Sequence, residues 1–152
     1  MDFEGKVVEG GGMKHANVIT LENVYSNFSK GRLQEVLDAC SDTVTFQVPG
    51  KSRLAGKFTK KNFVPEFLMK LHEFSGGTFS IEVHDILVSD LHATVLATNR
   101  LQRDGKMVEL RTVHVWRFDK GVPIAWYEYP RDLYQFDLIW GFENSACNNV
   151  YS

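Results

Sequence analysis

The sequence predicts an α+β fold in which helices from the first half pack on one face of a curved, mostly antiparallel sheet built by the second half. Apolar residues recur at helical spacing as far as Phe74, and after Gly77 the chain turns into long β-rich segments. Those segments are joined by short turn-forming strings at Asp90, Asp104-Gly105 and Asp119-Lys120-Gly121, so neighbouring strands pair antiparallel. Helices first and a meander afterwards is the α+β order.

The elements follow in turn. Val18, Leu21, Val24, Tyr25 and Phe28 give a helix over 16–30 that stops at Gly31, and Leu33, Val36 and Leu37 continue a second one to about Cys40. Asp42 to Val48 reads as a strand closed by Pro49-Gly50, and KSRLAGKFT as a loop or short strand. Phe63, Val64, Phe67, Leu68 and Leu71 predict a helix over 60–74, with Pro65 early enough to be tolerated. Four β segments follow, at 78–89, 92–103, 107–119 and 122–129, and a last helix runs over 133–140.

With 152 residues the chain is long enough for one domain with its own core. We expect a flexible tail over 1–14, where Gly10, Gly11 and Gly12 form a joint, a domain over 15–142 and a tail over 143–152. The opening residues carry Asp2 and Glu4 and no apolar run, so no signal peptide or anchor is expected, and Met13 offers an alternative start. Seventeen basic and 19 acidic residues are interspersed for a net charge of −2, which favours neither nucleic acid nor an anionic membrane as partner. Cys40 and Cys147 lack metal-type spacing and are expected to be reduced thiols of a cytoplasmic protein, with no metal site.

Several residues could carry chemistry. On alternation Glu128 shares an apolar face with Ile124 and Trp126, where a carboxylate must be partnered, protonated or functional. His114 is in phase with Leu110, Thr112 and Trp116, pointing it inward beside Glu128, either as a base or as a core histidine satisfied by hydrogen bonds. Asp132 is the N-cap of the last helix, an acid, or both. His84 and Asp85 are adjacent in a strand and cannot face one pocket together. Tyr25 is read as core. Tyr127, Tyr129, Tyr134, Phe136 and Trp140 are expected to seal one end of the sheet and its rim.

The strings VPGKSRLAGKF, SGGTFSIEVHDIL and DKGVPIAWYEYPRDLYQFDLIW, in this order of elements, resemble the SnoaL-like branch of the nuclear-transport-factor-2-like superfamily over about residues 16–141. The resemblance implies a cone-shaped α+β barrel with an internal apolar pocket lined by Phe46, Val48, Phe67, Leu110, Trp116 and Trp126. Arg100, Gln102, His114, Glu128 and Asp132 would supply its polar groups. The implied occupant is a small apolar molecule, polyketide-, terpenoid- or steroid-like, handled without a cofactor. The implied assembly is a homodimer through the outer sheet face, to which Ala93, Val95 and Ala97 are assigned.

Within the superfamily, ketosteroid isomerases place an aspartate base before a proline, where this chain has Val48 before Pro49. Limonene-type epoxide hydrolases are matched at Arg100 and Glu128, but Gln102 stands for an aspartate, and Phe46 and Val48 stand for the residues that hold the attacking water. The readings left open are an acid–base isomerase, cyclase or hydrolase, a non-catalytic binding or dimerisation module, and a weak epoxide hydrolase.

Overall fold

The computed structural model describes residues 13–141. The expected tails, apart from Met13 and Lys14, lie outside the described residues, and so does Cys147. Lys14 already belongs to the fold, with its Nζ 2.9 Å from the Glu22 carboxylate.

Helix α1 (Ala16–Ser29) starts at His15, whose Nδ1 accepts the Asn17 N–H at 3.0 Å while Nε2 meets Asp90 at 2.8 Å. The Asn17 side chain donates to the Ser89 carbonyl at 3.0 Å, so the start of α1 is pinned to the turn between the strands that flank it. Helix α2 (Leu33–Asp38) and strands β1 (Thr45–Val48) and β2 (Gly56–Thr59) follow. The sequence predicts a regular helix over 60–74; instead a π-helical stretch, Val64–Leu68, leads into α3 (Met69–Phe74), and the Met69 N–H reaches back five residues to the Val64 carbonyl. Phe63 and Phe67, four residues apart and on one face, stack their rings at 5.3 Å.

Strands β3 (Ser80–Val88), β4 (His92–Arg103), β5 (Lys106–Asp119) and β6 (Val122–Pro130) form the predicted meander, and α4 (Leu133–Trp140) completes the described chain. The six-stranded sheet runs β2-β1-β6-β5-β4-β3, antiparallel throughout except where β1 lies parallel to β6. The β4–β5 hairpin turns on Asp104 and Gly105 at φ 56° and 76°, the left-handed pair that a two-residue turn between right-twisted strands requires. Irregularities at Val83/Asp85 and Arg117/Phe118 bend the long strands. The sheet curls around the helices without closing, as an α+β cone does.

The curl has a definite inside. On β4 the residues facing the core are Ala93, Val95, Ala97, Asn99 and Leu101, and on β5 they are Leu110, Thr112, His114, Trp116 and Phe118. Cross-strand pairing fixes this, because Val95 stands opposite His114 and Asn99 opposite Leu110. Ala93, Val95 and Ala97 are therefore core residues, which corrects their expected place on the outer face. The outer face instead carries Leu87, Leu96 and Tyr129, each exposed, with Val113, Val115 and Tyr127 half-buried between them.

Helix α4 is fastened across one end of the cone. Arg53 donates from Nε to the Trp140 carbonyl at 3.0 Å, and Arg103 donates to the Ile139 and Phe74 carbonyls at 2.8 and 2.9 Å. Two guanidinium groups thus occupy the carbonyl ends of α3 and α4, where unpaired acceptors and the helix dipole favour cations. Asp137 holds the Lys51 N–H with both oxygens at 3.1 Å, so the β1–β2 loop is tied to the same helix.

Candidate functional site

Inside the cone, beneath α1, lies a cavity with a free volume of about 60 Å³. Its walls are almost wholly apolar and aromatic, including Phe46, Phe63, Phe67, Trp116, Trp126 and Phe136. The polar groups that reach it come from Tyr25, Asn99, His114, Glu128 and Trp140.

These groups form one network. The Glu128 Oε2 accepts the Thr112 hydroxyl at 2.5 Å, the His114 Nε2–H at 3.2 Å and, more weakly, the Asn99 Nδ2–H at 3.4 Å. His114 Nδ1 lies 2.6 Å from the Tyr25 hydroxyl, which in turn accepts the Trp116 Nε1–H at 3.1 Å. Donor bookkeeping assigns the protons. Indole N–H can only donate, so Tyr25 oxygen accepts there and its own hydrogen points to His114 Nδ1; neutral His114 then carries its proton on Nε2, toward the carboxylate.

Burial by itself would raise the Glu128 carboxyl, but the neighbouring His114 and the hydrogen bonds from His114, Thr112 and Asn99 outweigh it and hold it below the usual carboxylate range. Tyr25 is pushed well above the ordinary phenol value, first by burial and then by the Glu128 charge, with the Trp116 hydrogen bond opposing. Glu128 is therefore an anion and Tyr25 a neutral hydroxyl at neutral pH. Chemically, such a chain can pass a proton between a cavity oxygen and the imidazole without making a free tyrosinate.

The structure brings only some of the sequence candidates together. His114, Glu128, Phe46, Phe67, Trp116 and Trp126 all line the cavity. Val48 and Leu110 are buried but line it nowhere. Arg100 and Gln102 sit on the outer side of β4, a correction with a simple cause: they are one residue out of phase with the buried Ala93-Val95-Ala97 row. Arg100 binds Glu82 and Glu109 at 2.5 and 2.9 Å, far from Glu128's face. The epoxide-hydrolase match at Arg100 and Gln102 thus falls outside the cone. Asp132 is exposed and caps α4, accepting the Gln135 N–H at 3.1 Å.

Asn99 joins the site without being among the sequence candidates, and its odd-numbered alternation with Ala97 and Leu101 is the available signal. Tyr25 is expected as plain core; the ring is buried, yet its hydroxyl completes the network. Of the aromatics expected to seal the cone, Phe136 and Trp140 do so, whereas Tyr129 and Tyr134 are exposed. His84 bonds Thr98 at 2.7 Å, away from the cavity lining. Burial pushes the Cys40 thiol up to about 11, against a smaller pull from Lys60, so it is no nucleophile at neutral pH. Among the described residues, no group of three or more His, Cys, Asp or Glu side chains is placed to hold a metal ion.

An open, curled sheet wrapped on its helices around one internal cavity defines a nuclear-transport-factor-2-like domain. The SnoaL-like domain profile matches residues 21–125, and the chain belongs to that family, whose fold supports small-molecule binding. Among solved structures it is similar to Bal32a from a soil-derived mobile gene cassette, at 25% identity over 83% of this chain and 97% of that one, with a TM-score of 0.75. It is also similar to an NTF2-like protein of Burkholderia pseudomallei, at 22% identity over 84% and 98%, TM-score 0.71. TerC, crystallised with polyporic acid, shares the fold at 19% identity over 84% and 100%, TM-score 0.72. No curated protein matches by sequence. None of the described helices is long and apolar enough to cross a membrane.

Proposed function

We propose that the cavity is a ligand site for cofactor-free proton transfer, in which Tyr25 meets an oxygen of a small, mostly apolar ligand and His114 stores the proton. The observation that carries this reading is the unbroken chain Glu128 Oε2, His114 Nε2 and Nδ1, Tyr25 hydroxyl, ending at an apolar cavity. When a ligand hydroxyl or enol gives its proton to the Tyr25 oxygen, the Tyr25 hydrogen passes to Nδ1, and the imidazolium formed is stabilised by ionised Glu128. The reverse transfer returns a proton to an enolate oxygen. The raised tyrosine pKa suits this concerted route, since it opposes tyrosinate and favours a neutral donor. Reactions through an enol are the class this suits: the relay carries the proton at oxygen, and the proton at carbon is given to or taken from water in the cavity.

A panel of small enolisable ketones, beginning with butanone and cyclopentanone, tests it in deuterated water by NMR. Wild-type protein should accelerate α-proton exchange over buffer, and His114→Gln and Tyr25→Phe should abolish the acceleration. Absence of acceleration across the panel in wild type would leave the second reading, a non-catalytic binding module. One observation favours that second reading: both His114 nitrogens already have partners within the protein, as in a purely structural cluster.

The same proposal includes a cytoplasmic homodimer joined through the outer sheet face. The exposed Leu87, Leu96 and Tyr129 support that face, and light scattering of Leu96→Arg, expected monomeric, tests it.

A further inference from the structure

Two buried polar atoms have no hydrogen-bond partner among the described residues, Asn99 Oδ1 and Trp140 Nε1, and both side chains line the cavity. Buried polar groups are nearly always paired, and leaving one unmet is expensive, so two orphans in the wall of a single cavity mark where its occupant is polar. Their chemistry is complementary in sign. An amide oxygen only accepts and an indole N–H only donates. The Asn99 orientation is fixed by the Nδ2–H that reaches Glu128, which leaves Oδ1 as the free end.

Both atoms are held in place. Asn99 is 2% exposed and stands on the central strand β4. Trp140 is 1% exposed, stacked on Phe79 at 6.0 Å and edge-on to Phe136, and its carbonyl is fixed by Arg53. Preorganised groups of this kind discriminate well, because a ligand that lacks the matching atom leaves them unpaired.

Size constrains the frame. The free volume of about 60 Å³ admits a few waters but no bicyclic ring. A second cavity of about 470 Å³ lies against it and shares Phe28, Leu68, Leu71, Phe79 and Ile81 as lining. Phe28 and Phe79 line both spaces and meet edge-to-face at 6.3 Å, so a ring system reaching Asn99 and Trp140 requires this pair to rotate and join the two.

We infer that the cavity selects a ring-containing, otherwise apolar ligand bearing both a hydroxyl, which donates to Asn99 Oδ1, and a carbonyl or similar oxygen, which accepts from Trp140 Nε1. This deepens the ligand-site reading above and rests on it. Asn99 and Trp140 are the specificity-determining residues, separate from the proton path through Tyr25 and His114.

Calorimetric titration of the full chain with naphthalene, β-naphthol, β-acetonaphthone and a hydroxy-acetonaphthone tests the inference. Each oxygen should tighten binding roughly tenfold, so that the doubly substituted probe binds best. Asn99→Leu should erase the gain from the hydroxyl but not that from the carbonyl, and Trp140→Phe the reverse, each gain being read against the same variant's own naphthalene affinity. Equal affinities for all four probes, the result if waters stay on both atoms, overturn this inference and spare the ligand site. Failure of every probe to bind overturns both. The ranking in wild type decides the matter even where a variant fails to fold.

Discussion

His114 and Glu128 stand directly opposite one another on β5 and β6, and their side chains meet on the inner face with Nε2 3.2 Å from Oε2. Thr112, two residues along β5 on the same face, supplies the shorter bond to that oxygen. The sheet register itself therefore builds the His114–Glu128 hydrogen bond, and α1 adds only the Tyr25 end.

Glu128 makes stability pH-dependent. Its folded-state pKa is lowered, so its contribution is fully present above the ordinary glutamate value of about 4.3 and is lost as pH falls through the folded value. Glu128→Gln should be less stable than wild type by about 1.5–3 kcal/mol at neutral pH, in line with weakening hydrogen bonds made to a charged group. Urea unfolding of both proteins at neutral pH and well below the glutamate value should show the gap shrinking in acid; a constant gap would sink the assignment.

Tyr25→Phe removes one oxygen and strands two groups, His114 Nδ1 and Trp116 Nε1. A loss of about 2–3 kcal/mol is expected. In a double-mutant cycle with Trp116→Phe the combined loss should fall short of the sum, because the second change removes a group that the first left unpaired. Strict additivity in denaturant midpoints would contradict the shared bond.

Gly50 occupies φ 96°, and a Cβ there would come within 2.2 Å of Asp137 Oδ1. Gly50→Ala should destabilise by about 2 kcal/mol or more through strain and displacement of the carboxylate from the Lys51 N–H. Asp137→Ala should partly rescue it. A variant melting at the wild-type temperature would show the clamp to be unimportant.

Arg103→Ala should loosen the ends of α3 and α4 together, since one guanidinium serves both. Amide exchange should quicken at residues 136–141 and 74–77 while β4 and β5 stay protected; uniform protection would refute the clamp.

Arg100→Gln is the contrasting case. Arg100 is about one-third exposed and bound only to surface acids, so the denaturant midpoint should hardly move and ligand binding not at all. A large change in binding would return it to the site.

Much of this arrangement was legible in the chain. Alternation placed His114 and Glu128 on inward faces, Asp104-Gly105 announced its hairpin, and Asp132 read as a cap. Arg100 and Gln102 match the motif of another enzyme class, yet the plain alternation of Ala93, Val95, Ala97 and Leu101 already points that apolar row inward and the two polar residues out. Tyr25 was read from its apolar spacing, and spacing says nothing of where a hydroxyl ends.

Periods and turns local to the chain are enough for the α+β order, the antiparallel pairing from β3 to β6 and the residues of β5 and β6 that face inward. Three-dimensional packing brings β1 alongside β6, Tyr25 to His114, 89 residues away, and Arg53 and Arg103 to the end of α4 over the cavity. Those contacts depend on how far the sheet curls and where the helices settle on it. That curl is a property of all six strands together, and no local pattern encodes it.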